Sequence, residues 1–119
     1  MRKITKRGLK TKLDKVLSEQ VRSQGFCSKC RKDDYSKLHC CHIFSRKLMS
    51  VRFDRDNLVC LCSSCHAEFH DRPILFQEFI KEYLGKERYS QLIMKSTMIK
   101  KWTIFELQEL YDRLKEAKC

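Results

Sequence analysis

The chain has 119 residues, a formal net charge of +11, 42% hydrophobic and 34% charged residues, three Gly and one Pro. Such a composition supports a single small folded domain over residues 1–119 and excludes collagen-like and low-complexity disordered classes. No apolar run approaches the roughly 18 residues of a membrane-spanning helix and no signal-peptide core follows the basic start, so no membrane partner and a cytoplasmic location are expected.

The positive charge is uneven along the chain. Residues 1–24 hold eight basic and two acidic side chains, residues 25–70 eight and five, and residues 71–119 ten and eight. A basic leading segment on a milder body suits a polyanion such as nucleic acid. Residues 1–8 read as an irregular basic arm. Leu9, Leu13, Val16, Leu17 and Val21 then recur at helical spacing, with Gly25 as the stop, so residues 1–25 form an arm and an amphipathic helix.

Eight cysteines without a signal peptide favour metal over disulfides. Cys27-x-x-Cys30 and Cys62-x-x-Cys65 are two knuckles separated by 31 residues. Such pairs present four thiolates tetrahedrally, as a structural Zn²⁺ requires. Cys40, Cys41, Cys60 and Cys119 stand outside this quartet. Between the knuckles, Leu38–Phe44 and Asn57–Leu61 read as two short strands. The segment 45–56 joining them is a loop carrying Arg46, Lys47, Arg52 and Arg55, placed to contact phosphates without reading sequence.

Cys65 is expected to open a short helix through His70, ended before Pro73. His66 and His70 lie four residues apart on it, so their rings project from one face, a ready pair of metal ligands. His42, at the end of the first strand, can face the same point. Pro73 then starts a helix whose buried stripe is Phe76, Phe79, Ile80, Tyr83 and Leu84, with Gly85 as its end. A shorter helix covers about Lys86–Lys95. The last helix opens with a capping box, Thr103 and Glu106, and a staple of Trp102 and Leu107. Its apolar face is Leu107, Leu110, Tyr111 and Leu114.

The order Cys27-x-x-Cys30, Cys41-His42-Ile43, Asn57-Leu-Val-Cys-Leu-Cys62-x-x-Cys65-His66-x-x-x-His70 resembles the HNH endonuclease motif. The resemblance implies a zinc-anchored ββα-metal core over residues 26–71, within an α+β fold that has an N-terminal helix and a helical extension at 72–119. A narrower resemblance runs along nearly the whole chain. The Lys-rich leading helix, Arg52-Phe53-Asp54-Arg55-Asp56-Asn57 and Trp102-Thr103-x-x-Glu106-Leu107 look like the NinG (Rap) recombination nucleases of lambdoid phages. That family is associated with branched recombination intermediates such as Holliday junctions. It implies a branched DNA partner and a bacterial or phage-infected host cell. A junction-resolving enzyme would benefit from two active sites related by symmetry, and the amphipathic surface left over is compatible with a homodimer.

By the HNH resemblance His42 is the general base, and His66 and His70 hold a catalytic divalent metal, Mg²⁺ or Mn²⁺ or alternatively Zn²⁺. Asn57 orients the strand bearing His42. The position before the base is usually Asp or His; here it is Cys41. Either Cys41 ligates, or water fills the place, or His39 does, and a thiolate would favour a softer metal. A noncatalytic zinc-stabilised DNA-binding module is the alternative function, since it needs the basic segment and the quartet but not the histidines. A two-zinc cross-brace of the RING type fails on spacing, because no CxxC closely follows His42.

Overall fold

The structure, a computed structural model, describes residues 4–116. It is α+β: five α-helices, two single-turn 3-10 helices and one antiparallel pair of strands among the described residues. Helix α1 (Lys6–Arg22) buries Leu9, Leu13, Val16, Leu17 and Val21, the same five positions the periodicity selects. It begins inside the stretch read as an irregular arm, because Thr5 caps it by accepting a hydrogen bond from the Gly8 N–H at 3.0 Å. Residues 1–3 and Cys119 lie outside the described residues.

Strand β1 (Leu38–His42) pairs with β2 (Leu58–Cys62), with Leu38 opposite Cys62 and His42 opposite Leu58. β1 is two residues shorter than expected and β2 is shifted by one. Side-chain bonds from Asn57, described below, take over the pairing where the ladder ends. Helix α2 (Ser63–Asp71) follows β2 without a linker and packs against both strands. It starts two residues earlier than expected because Cys62 is itself the cap, its sulfur accepting from the Cys65 N–H at 3.5 Å.

Helices α3 (Pro73–Leu84), α4 (Lys86–Ser96) and α5 (Ile104–Glu116) complete the described chain. Pro73 sits in the first turn of α3, and Gly85 ends it at φ 83°, a conformation that favours glycine. Tyr83 does not join the core: it is exposed, while Ile80 and Leu84 are buried. The capping box of α5 forms in both directions. Thr103 Oγ1 accepts from the Glu106 N–H at 3.1 Å, and Glu106 Oε1 accepts from the Thr103 N–H at 3.0 Å.

One apolar cluster joins α1, both strands, α2, and Ile80, Leu84, Leu92 and Leu107 of the last three helices. Residues 72–116 therefore share the core of the rest of the chain. Helix α5 lies along α1, where Gln20 Nε2 donates to the Leu114 carbonyl at 2.9 Å. Among the described residues no helix is long and apolar enough to cross a membrane.

Candidate functional site

Cys27, Cys30, Cys62 and Cys65 converge, with all four sulfurs within 4.8 Å of one another. Cys30 Sγ and Cys62 Sγ are 3.7 Å apart. Two sulfurs on a tetrahedral zinc, each about 2.3 Å from it, are about 3.8 Å apart, so the cluster fits that ion. The first knuckle folds as a tight turn, with the Arg31 N–H donating to the Cys27 carbonyl at 3.0 Å. Arg31 takes φ 69°, alone among described non-glycine residues, and so carries the strain of the turn. The Ser28 N–H donates to the Cys60 carbonyl at 2.9 Å, which ties this knuckle to β2. Lys29 pairs with Glu68, tying it also to α2.

The sulfurs are electrostatically uneven. Burial pushes Cys27 and Cys62 up, but hydrogen bonds from the main chain and from neighbouring groups outweigh it. Cys62 falls to about 6. Cys65 is pushed up, by burial first and then by its bonds to the neighbouring sulfurs. A bound cation would favour the thiolate form at all four. Cys40, Cys41 and Cys60 belong to a different setting. They sit in the sheet, and burial raises their thiols, to about 11 for Cys40 and about 12 for Cys41.

Beside the quartet lies an open pocket of about 220 Å³. His42 and Cys41 line it from the end of β1, His66 and His70 from α2, and Phe69, Phe76, Leu61 and Pro73 form its apolar floor. Two elements distant in sequence thus line one pocket with the three expected histidines, although their ring nitrogens do not all lie within 4.8 Å of one another. His42 is half-buried, and burial is the main cause that holds its imidazole below the ordinary value of 6.5. Asp14 and a main-chain contact from Arg52 pull it back up; Arg46 and the Arg52 charge push it down. The ring is neutral near pH 7 and can accept a proton. His66 is also lowered, by burial and then by His39 and His70.

Asn57 is fully buried where β2 begins. Its Oδ1 accepts from the Phe44 N–H at 2.7 Å, its Nδ2 donates to the Phe44 carbonyl at 3.1 Å, and its carbonyl accepts from the Ile43 N–H at 2.8 Å. Those three bonds hold the chain just past His42, so the ring is presented by a pinned backbone rather than a loose one.

The four basic loop residues are not equivalent. Arg46, with 62% of its side chain exposed, and the exposed Lys47 and Arg55 face solvent. Arg52 is 20% exposed and makes a two-pronged pair with Asp14 of α1, Nη2–Oδ2 at 2.6 Å and Nε–Oδ1 at 3.2 Å. The loop is clamped elsewhere by Lys95 to Asp54 at 2.7 Å, Arg88 to Asp56 at 2.6 Å, and the Trp102 indole N–H to the Met49 carbonyl at 3.0 Å.

Sequence missed one residue, Asp14, and left another, His39, only as an alternative ligand in place of Cys41. Asp14 is one acid in a basic helix and looks like a solvated charge. His39 has a weak signal: it precedes Cys41 by two, so strand alternation puts both on the face toward α2. There its Nδ1 lies 3.0 Å from His66 Nδ1. Among the described residues the quartet is the only convergent group of three or more metal-ligand side chains. No family model matches this chain, and no curated protein or solved structure matches it either.

Proposed function

We propose that the protein is a metal-dependent DNA endonuclease of the HNH type, hydrolysing phosphodiester bonds in branched recombination intermediates such as Holliday junctions. The observation that supports this best is the pocket: a neutral, half-buried His42 shares it with His66 and His70, next to a four-cysteine cluster of zinc geometry. A zinc-braced binding module has no need for that arrangement.

In this reading the cysteine quartet, carrying Zn²⁺, fixes the start of α2 and so the direction of its histidines. His42 accepts a proton from the attacking water, which lies in line with the scissile phosphorus. Asn57 keeps that imidazole in place through the Phe44 main chain. His66 and His70 hold the catalytic ion, and Cys41 stays a buried thiol at the edge of the pocket. When bound, a divalent ion supplies charge stabilisation to the phosphorus centre and the departing 3′ oxygen. Arg46, Lys47 and Arg55 contact flanking phosphates, while Arg52 braces the loop against α1. The products are 5′-phosphate and 3′-hydroxyl ends. A homodimer would offer two such pockets to a four-armed substrate.

The test is cleavage of a labelled four-way junction and a matched linear duplex with Mg²⁺, Mn²⁺ or Zn²⁺, beside His42→Ala. Junction cleavage that is lost in His42→Ala, with DNA binding retained, is the expected result. Equal cleavage of both substrates keeps the nuclease and removes its preference for branches. Tight binding without cleavage under any of the ions assigns the chain instead to the noncatalytic zinc-stabilised DNA-binding modules.

A further inference from the structure

The motif leaves three candidates for the ligand place before the base, Cys41, water and His39, and the position of His39 decides among them. His39 is an exposed imidazole on β1 whose Nδ1 lies 3.0 Å from Nδ1 of His66 on α2. The two rings meet edge to face, with planes at 82° and centroids 5.2 Å apart. Two nitrogens bound side by side to one ion, each about 2.0–2.1 Å from it, are about 3.0–3.4 Å apart. We propose that His39 and His66 form a two-nitrogen seat for a divalent transition ion, with His39 supplying from β1 the ligand that Cys41 does not.

The geometry of the two elements explains the division. Positions i and i+2 of a strand share a face and lie roughly 7 Å apart; positions i and i+4 of a helix share a face about 6 Å apart. β1 therefore offers two rungs to α2. His39 meets His66 across the two elements, while Cys41, two residues further along β1, lines the pocket with His66 and His70. Cys41 is 4% exposed and part of the apolar core, whereas both rings of the His39–His66 pair are open to solvent. An ion can enter at the histidine rung without disturbing the core. Water completes the coordination, since no third protein ligand converges with the two rings among the described residues.

The donor set also names the class of ion. Imidazole suits Zn²⁺, Co²⁺ and Ni²⁺, whereas Mg²⁺ prefers oxygen ligands. The seat deepens the nuclease reading and rests on it only for what the ion does there; the seat itself rests on the two rings.

Calorimetric titration of Zn²⁺ into protein already carrying its tightly held zinc tests this. Wild type should take up a further equivalent. His39→Ala should weaken that uptake at least about tenfold, since even residues that only support a metal ligand contribute about 10–100-fold. Cys41→Ala should leave it within about twofold, with the tightly held zinc as the check that each variant is folded. Loss of uptake in Cys41→Ala but not in His39→Ala overturns the proposal, as does a wild type that binds no further ion. DNA cleavage measured on the same variants separates the two readings. Uptake through His39 without any cleavage sinks the nuclease and leaves the seat, and a cleaving His39→Ala of unchanged Zn²⁺ uptake does the reverse.

Discussion

Asn57 shows how much one side chain can fix. It is fully buried, and both its donor and its acceptor are used by a single residue, Phe44, so the amide replaces a missing rung of the ladder. Asn57→Ala leaves the Phe44 N–H and carbonyl without those partners and is predicted to cost about 2–6 kcal/mol, because each of the two buried polar groups left unpaired costs about 1–3 kcal/mol. The midpoint of denaturant unfolding, measured with zinc present, checks it. The HNH resemblance singles out this residue as the one that orients the strand bearing His42, and its bonds to Phe44 lie just past that residue. Asp14 is illegible by the same standard, and His39 is legible only as one alternative ligand, not as the partner of His66. Their partners, Arg52 and His66, lie 38 and 27 residues away, and nothing local in the sequence marks either pairing.

Elements with local causes are the ones readable from sequence. The α1 stripe, Pro73 in the first turn of α3, and the Thr103–Glu106 box are set by residues within a few positions of one another, and all occur as expected. Boundaries set by distant contacts are not: β1 stops early because Asn57 takes over, and α2 starts early because the Cys62 sulfur caps it. The α5 box carries a pH signature. Lys100, then the Thr103 main chain, hold Glu106 down to about 2, below its ordinary 4.5. A depressed carboxyl contributes stability above its unfolded value that is lost as pH falls through the folded one. Wild type should therefore lose its advantage over Glu106→Gln between about pH 4.5 and about pH 2. Melting temperatures of the pair across that range test it, and a constant gap would show that the box is not ionised. Thr103→Ala should cost about 1 kcal/mol at neutral pH through the lost cap.

For the molecule as a whole, residues 72–116 tie down the basic loop. α4 holds Asp54 and Asp56, Trp102 holds Met49, and α5 lies on α1, which in turn holds Arg52 through Asp14. Sequence shows these helices as amphipathic but not which surface they cover, because several faces of similar width compete for it. Leu107 is fully buried. Leu107→Ala should lower stability by about 2–5 kcal/mol. It should leave zinc content unchanged, since no cysteine of the quartet lies on α5. Unfolding curves and metal content of that one variant separate the helical packing from the metal brace.

Every feature of the pocket depends on α2 being held by the four-cysteine cluster. Zinc content measured together with thermal unfolding, in wild type and in Cys27→Ser, is therefore the most direct measurement. Wild type should retain one zinc per chain through dialysis, and Cys27→Ser should lose both the zinc and the cooperative transition, because the ion's binding energy is folding energy. A Cys27→Ser protein with full zinc and an unchanged melting curve would contradict the brace, and with it the placement of His66 and His70 opposite His42.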